Sequence, residues 1–262
     1  MNQAVSEQIV SLRELGEGVV EVVMQDRVNK NTFSNELIQG LSEAFDIIQS
    51  DSRFKAVILT GYDTYFASGG TQDSLLYLSE GKGTFAEIAE GNSRNGISLY
   101  SLALNCPIPV ISAMQGHGIG GGFVMGLFAD FVILSKESLY TTNFMKYGFT
   151  PGMGATLVLP EKLGLPLAQD LLMSARSFYG EELQRRGIPF PVLPRSEVLS
   201  HARELARNLA EKPRLSLVTL KNHLVSGLRE RLAPFIAQEL AMHRETFGQA
   251  EVKERIRALF GN

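Results

Sequence analysis

The chain of 262 residues has a single cysteine, Cys106, and no excess of basic residues. One cysteine excludes an intrachain disulfide and a cysteine-based metal cluster. Because Cys106 lies beside Pro107 in an apolar stretch, we expect a small buried residue rather than a nucleophile. The formal net charge of −3 provides no basic excess of the kind that binds nucleic acid, so we expect no nucleic-acid partner.

Long hydrophobic runs are also missing. No apolar run approaches the roughly 18 residues that would suggest a membrane span. The first residues lack the charged and apolar regions of a signal peptide. With 44% hydrophobic and 20% charged residues, the composition is ordinary for a soluble globular protein. We therefore expect a cytoplasmic protein without a membrane partner.

The spacing of apolar residues predicts strands that alternate with helices over the first two thirds of the chain, which is typical of an α/β core. From about residue 164 onward the strand signals nearly vanish. We therefore expect an α/β core over residues 1–195 and a helical C-terminal region over residues 196–262. The predicted strands are 19–24, 56–60, 109–114 and 131–134, and the predicted helices are 35–49, 86–104, 123–128, 168–174, 181–186, 198–210, 216–228 and 234–247.

A glycine-rich turn, Gln115-Gly-His-Gly-Ile-Gly-Gly-Gly122, joins the strand that ends at Met114 to an apolar helix. Glycine lacks Cβ, so the backbone N–H groups of such a turn can approach a ligand closely. The turn is not a convincing dinucleotide fingerprint, because no acidic residue follows about 20 positions on, and it lacks the Gly-Lys-Ser/Thr of a P-loop. On its own it fits close strand–helix packing and anion binding equally well.

Two further motifs give the glycine turn its context. The first is Tyr65-Phe-Ala-Ser-Gly-Gly-Thr71, and the second is Gly148-Phe-Thr-Pro-Gly-Met-Gly-Ala-Thr156. In this order and spacing the three motifs resemble the crotonase (enoyl-CoA hydratase/isomerase) superfamily over nearly the whole chain. The resemblance implies an α/β fold, a crotonase-like spiral of ββα units with a helical C-terminal region. It also implies a homo-oligomer, which we expect to be a trimer, without a metal or redox cofactor.

The resemblance implies an oxyanion hole made by the backbone N–H groups of Gly70 and Gly121. Such a pair of donors stabilises the enolate of a thioester, and Gly121 lies where the N-terminus of a helix adds its positive dipole end. The side chains around it depart from the best-known members of the family. Hydratases carry two glutamates that handle water, and the matching positions are Val124 and Phe144. Neither residue transfers a proton, so a glutamate-driven hydratase is not expected. The case for the usual isomerase is also weakened, because that enzyme relies on a carboxylate base.

Longer strings resemble one branch of the superfamily, the decarboxylases of polyketide β-branching cassettes. The branch implies a 3-methylglutaconyl-type thioester held on an acyl carrier protein. The acyl group would be carried on a phosphopantetheine arm or on CoA. The catalytic lysine and histidine of the branch map onto Lys82 and His243. The matching strings begin at Gly69, Glu80, Gln115, Asn143 and Lys212.

The residues themselves favour these two positions only weakly. Lys82 lies in Glu80-Gly-Lys-Gly-Thr84, where a solvated loop lysine is the ordinary interpretation. His243 shares an apolar helix stripe with Ile236, Leu240 and Phe247, which is more typical of a core or interface histidine. His117, inside the glycine turn, is expected to be structural but stays a candidate. Tyr77 would line the substrate pocket and orient Lys82 or the carboxylate, although packing is the simpler role for it.

We hypothesise that loss of the distal carboxyl group gives an extended enolate, which is then protonated by Lys82 or His243. Lys82 would need burial to lower its pKa, whereas His243 needs less tuning. Alternatively, Lys82 binds the carboxylate and His243 donates the proton. The position of the product double bond stays open. The competing functions are an enoyl thioester double-bond isomerase and a non-catalytic carrier-binding module.

Overall fold

The computed structural model describes residues 9–84, 87 and 98–260. None of the helices in this part of the chain combines the length and the apolar character that crossing a membrane requires. The elements in chain order are β1 (Val10–Gly16), β2 (Val19–Met24), α1 (Asn35–Ser50), β3 (Ala56–Thr60), β4 (Tyr65–Ala67), α2 (Gln72–Ser79), a 3₁₀ turn (Leu99–Ser101), α3 (Leu102–Asn105), β5 (Val110–Met114), β6 (His117–Ile119), α4 (Gly121–Leu127), β7 (Phe131–Ser135), β8 (Leu139–Thr141), α5 (Ala155–Leu163), α6 (Leu165–Ser174), β9 (Phe178–Tyr179), α7 (Gly180–Arg185), β10 (Val192–Leu193), α8 (Arg195–Ala210), α9 (Arg214–Thr246) and α10 (Ala250–Leu259).

The larger sheet has six strands in the order β1-β2-β3-β5-β7-β10. Only β1 and β2 pair antiparallel, and the other neighbours run parallel. Every residue of β3 and β5 is buried, as expected for parallel strands covered on both faces. Helix α8 covers one face, where Ala202 and Ala206 let it pack closely against Ile58 and Ile111.

The smaller sheet has four short strands in the order β4-β6-β8-β9. Each central strand of the larger sheet is followed by one strand of the smaller sheet and then, in two cases, directly by a helix: β3-β4-α2 and β5-β6-α4. Strands β7 and β8 repeat the pattern before α5. This repetition is the spiral of ββα units, so the predicted fold class is confirmed.

The predicted strands at 19–24, 56–60 and 131–134 and the helix at 35–49 are confirmed within a residue. The sequence analysis missed the smaller sheet, because strands of two or three residues are too short to show a period. Most of the predicted helix 86–104 lies outside the described residues, and from residue 99 onward only a 3₁₀ turn and α3 are present. The domain boundary at residue 195 stays a prediction; it falls at the first residue of α8.

The prediction of two separate helices at 216–228 and 234–247 is wrong. The structure has one helix, α9, of 33 residues with Pro234 inside it. A proline removes one backbone donor from a helix, but α9 is anchored on both sides of Pro234 by buried residues, Lys221 before it and Glu239 and His243 after it. Helix α10, which follows it, was not predicted.

Lys221 fastens the N-terminal half of α9 to the core. Its buried Nζ donates to the carbonyls of Ala103 and Ile108 at 2.9 and 3.0 Å and to Asp130 Oδ2 at 2.6 Å. The same Oδ2 accepts from the N–H of Val110 at 2.8 Å. Three acceptors match the three protons of an ammonium group, so this buried charge is fully hydrogen-bonded.

We expect Lys221→Met to lower the free energy of unfolding by about 3 kcal/mol, because it leaves the Asp130 carboxylate, whose side chain is only 16% exposed, without its cation. Urea denaturation measures this loss. Lys212→Met is the matched control: Lys212 pairs with Glu211 at the surface, where about 0–1 kcal/mol is expected. Adding Asp130→Asn to Lys221→Met should recover part of the loss. Equal effects of the two lysine substitutions would contradict the buried-pair interpretation.

Candidate active site

The glycine turn is a point of direct backbone packing. Gly120, which precedes α4, has a φ of +54°, a conformation that side chains other than glycine rarely adopt. A Cβ on Gly122 would lie 2.2 Å from the carbonyl oxygen of Ala67, at the end of β4. The first turn of α4 therefore packs against the backbone of the Tyr65–Thr71 motif, and only glycine permits that distance.

Gly69 and Gly70 meet the start of α4 from the other side. Gly69 has a φ of +73°, and its missing Cβ would lie 3.0 Å from the Gly121 nitrogen. Gly70 and Gly121 line one small cavity of about 30 Å³, which we call the glycine cavity. In the turns and loops that the structure describes, neither the Gly70 nor the Gly121 N–H donates to a backbone carbonyl. The geometry thus leaves two backbone donors beside a shared space.

The walls of the glycine cavity are mostly apolar. Phe144 is 4% exposed and forms part of the wall, and its ring meets Phe149 edge to face at 6.0 Å. Val124, which was expected in the substrate pocket, is fully buried on α4 within the main core and lines neither this cavity nor the larger cleft described below. Among the described residues, the lining contains no carboxylate, lysine, arginine or histidine side chain. It consists of Ser68, Gly69, Gly70, Leu75, Gly120, Gly121, Asn143, Phe144, Tyr147, Phe149, Met153 and Phe260.

A larger cleft of about 1200 Å³, the outer cleft, shares Ser68, Asn143, Tyr147 and Phe260 with the glycine cavity. Tyr77 lines the outer cleft and is half exposed. The outer cleft and the glycine cavity are therefore neighbouring spaces separated by shared residues.

His117 also lines the outer cleft. Its Nδ1 accepts from the N–H of Leu139 at 2.9 Å, which holds β6 next to β8. Burial lowers the pKa of His117, and the charge of Arg195 lowers it further. These contacts agree with the structural role that the sequence suggested.

Lys82 lies in the turn after α2, with its side chain 59% exposed. Its Nζ is 2.8 Å from Glu80 Oε2, and the other oxygen of Glu80 is 2.5 Å from Lys253 Nζ on α10. The Glu80 carboxylate raises the pKa of Lys82, and the exposed side chain lacks the burial that would lower this pKa. Hydrogen bonds from Lys253 and Lys82 lower the pKa of Glu80 to about 2. Lys82 lies outside the lining of both spaces, beyond Tyr77.

His243 lies on α9 and is 7% exposed. Its Nε2 is 2.9 Å from the carbonyl oxygen of Thr150, and its ring meets Phe247 edge to face at 5.3 Å. Burial lowers the pKa of His243, while the carbonyls of Thr150 and Pro151 oppose the shift. The structure thus places His243 behind the segment that carries Met153 into the glycine cavity, and it does not bring His243 and Lys82 together.

Sequence reasoning missed Glu239, a carboxylate one turn before His243 on α9. It is 1% exposed and accepts three hydrogen bonds from Gly154 and Thr156, at 2.6–2.8 Å. Its only signal in the sequence is the spacing of four from His243, which places both on one helix face. A glutamate within a long helix is ordinarily interpreted as solvated, so this signal was not used.

Comparison with known proteins agrees with the fold and the motifs. The family profile described as enoyl-CoA hydratase/isomerase matches residues 14–260. Over 254 residues, 97% of this chain and 98% of the relative, the sequence is 59% identical to the bacillaene synthase decarboxylase PksI of Bacillus subtilis (strain 168).

Two solved structures extend the comparison. One belongs to a dehydratase/decarboxylase enzyme couple involved in polyketide β-branching; it is 59% identical, covers 96% of each chain and has a TM-score of 0.92. The other is the ECH2 decarboxylase domain of CurF from Lyngbya majuscula, 43% identical over 96% of this chain and 99% of that one, with a TM-score of 0.89. With a profile match over nearly its whole length, this chain belongs to the enoyl-CoA hydratase/isomerase family.

Proposed function

We propose that this protein is a decarboxylase of polyketide β-branching, which removes carbon dioxide from a 3-methylglutaconyl-type thioester held on an acyl carrier protein. The 59% identity to a relative named as a bacillaene synthase decarboxylase supports the activity. The observation that carries the proposal is the apolar wall of the glycine cavity, with Phe144 where hydratases have a glutamate. Such a wall provides no base that could activate water.

The two glycine N–H groups supply the first part of the mechanism. We infer that Gly70 and Gly121 donate to the thioester carbonyl oxygen. When the bond to the distal carboxyl carbon breaks, its electron pair moves through the conjugated double bond to the carbonyl oxygen and gives an extended enolate. Each such donor typically contributes about 2.7–4 kcal/mol to stabilising the developing oxyanion. Carbon dioxide leaves, and a proton on carbon completes the reaction.

The aromatic wall supplies the second part. A carboxylate loses favourable hydration when it enters an apolar space, whereas the enolate spreads its charge onto an oxygen held by two donors. Phe144 and Phe149 therefore favour loss of the carboxylate over its retention. The same rings exclude the water that would otherwise add to the unsaturated product.

The pKa directions support a division of labour between Lys82 and His243. Glu80 raises the pKa of Lys82, which keeps the ammonium group charged. A charged ammonium group is better suited to binding the substrate carboxylate than to donating a proton. Burial lowers the pKa of His243, which makes its imidazolium form a stronger acid. We therefore assign carboxylate binding to Lys82 and protonation of the enolate to His243. In this mechanism both side chains reorient from their present partners, Glu80 and Thr150, toward the substrate.

The proposal includes the setting of the reaction. The outer cleft next to the glycine cavity would receive the phosphopantetheine arm of the carrier or a CoA ester. We also propose that the protein is a homo-trimer in the cytoplasm. We propose no metal or redox cofactor, because the electrons that drive the reaction come from the leaving carboxylate.

Incubation with a synthetic 3-methylglutaconyl carrier thioester should give a product that has lost the mass of carbon dioxide. Lys82→Met and His243→Gln should each slow this step by about 10²-fold or more. Lys212→Met and His223→Gln, at an exposed lysine and an exposed histidine, are the matched controls and should leave the rate unchanged. A product of unchanged mass would identify an isomerase, and tight binding without turnover would identify a carrier-binding module.

The pH dependence of the single-turnover rate tests the choice of acid. Because the donor must be protonated, the rate falls as pH rises through its pKa. With His243 as the acid, the fall lies at or below about pH 6.5, since the pKa of His243 is lowered from that ordinary value. With Lys82 as the acid, the rate would hold until above about pH 10.4, because the pKa of Lys82 is raised. His243→Gln should remove the fall in rate at or below about pH 6.5. An unchanged fall in that variant would rule out His243 as the proton donor.

A further inference from the structure

We propose that Glu239 is a positioning residue for this reaction: it fixes the segment Thr150–Thr156 on α9 and so sets the Met153 side chain against Gly121. The inference rests on the proposed function for its kinetic effect, while its structural part stands independently. Four observations carry it, namely the contacts of Glu239, those at the other end of the segment, the conformation of Met153 and the space around Gly154.

Glu239 holds the C-terminal end of the segment. Its Oε2 accepts from the Gly154 N–H at 2.7 Å, and its Oε1 accepts from the N–H and the hydroxyl of Thr156 at 2.8 and 2.6 Å. These N–H groups belong to the start of α5, where the first donors of a helix have no partner within the helix. A carboxylate from α9 therefore supplies the cap of a helix more than 80 residues earlier in the chain.

Gly154 explains why the cap comes from so far away. It occupies the capping position of α5 with a φ of +76° and offers no side-chain acceptor. A Cβ at this position would lie 2.8 Å from the ring of Phe128 and 3.0 Å from Leu232. The usual capping residues, serine, threonine or aspartate, do not fit there. Burying the carboxylate of Glu239 raises its pKa, which reflects the energetic cost of this arrangement.

The same face of α9 holds the N-terminal end of the segment. His243 Nε2 lies 2.9 Å from the Thr150 carbonyl oxygen, and the hydroxyls of Thr150 and Thr246 are 3.1 Å apart. Glu239, His243 and Thr246 are spaced by four and three residues, so they form one stripe of the helix. Three consecutive polar side chains of that stripe thus hold the segment at both of its ends.

Met153 lies in the middle of the gripped segment. Its φ is +64°, a conformation that is unfavourable for a residue other than glycine and that the surrounding structure must impose. Met153 lines the glycine cavity, and a Cβ on Gly121 would lie 2.5 Å from its Sδ. A shift of the segment therefore changes the space beside the Gly121 N–H, where the proposed oxyanion binds.

Glu239→Gln is the test, because it keeps the shape of the side chain but replaces one acceptor oxygen by an NH₂ group, which cannot accept from Gly154 or Thr156. We expect kcat for decarboxylation to fall about tenfold or more with KM changed less than about twofold, the pattern of an interaction used in the transition state. The matched control is Glu230→Gln, at an exposed glutamate of the same helix, which makes the same chemical change at the surface and should leave kcat unchanged.

A double-mutant cycle tests the path through Met153. If Glu239 acts by positioning Met153, then Met153→Leu should cost much less in the Glu239→Gln background than in the wild type, since the effects of residues coupled through a shared segment are not additive. Full additivity would overturn the proposal. So would a kcat of Glu239→Gln within about twofold of the wild type. If Glu239→Gln does not fold, Thr156→Val removes one of the three hydrogen bonds and should give a smaller loss of kcat in the same direction.

An NMR measurement separates this inference from the proposed function. With methionine methyl groups labelled, Glu239→Gln should shift the Met153 signal, and Glu230→Gln should leave it in place. If the Met153 signal shifts while the wild type releases no carbon dioxide, the proposed reaction is wrong and the positioning of Met153 stands. An unshifted Met153 signal in folded Glu239→Gln protein would overturn the positioning itself.

Discussion

The backbone contact between two glycine turns is the constraint on which the rest of the site depends. The start of α4 lies so close to the end of β4 that a single Cβ on Gly122 would overlap the Ala67 carbonyl. Because the contact is between main chains, it fixes the relative position of Gly70 and Gly121 without any side chain. Close packing and the proposed anion binding therefore follow from one arrangement, since the same missing Cβ atoms that allow the contact leave the N–H groups accessible.

In the proposed mechanism the glycine pair would serve any reaction that passes through a thioester enolate, and the side chains around it would select among those reactions. The described lining of the glycine cavity has aromatic rings and Met153 but no carboxylate, lysine, arginine or histidine side chain, while Lys82 and His243, the proposed carboxylate ligand and proton donor, lie outside it. This separation is physically consistent. A charge stored inside the cavity would be costly without a partner, whereas Lys82 and His243 have partners in Glu80 and Thr150, which the substrate replaces in the proposed mechanism.

The sequence predicted what local patterns encode. Buried strands such as Ala56–Thr60 appear as apolar runs, and the glycine motifs appear because only one residue type tolerates their backbone. It could not predict contacts between distant positions. The bond from Lys253 to Glu80 spans 173 residues and the bond from Glu239 to Gly154 spans 85, and neither has a local signature. Pro234 was misread for a related reason: a proline favours a helix break locally, but anchors on both sides keep α9 continuous.

Helix α9 contacts both parts of the site. Lys221 holds it against the segments around β5, and the glycine turn directly follows β5 in the chain. Glu239 and His243 hold it against the segment that carries Met153. The floor of the glycine cavity and its Met153 wall are thus both tied to one rigid element. A catalytic geometry is sensitive to displacements of a fraction of an ångström to one ångström, so a common support is more useful than two independent ones. The buried charges of α9 cost desolvation energy, and what they provide in return is this shared reference.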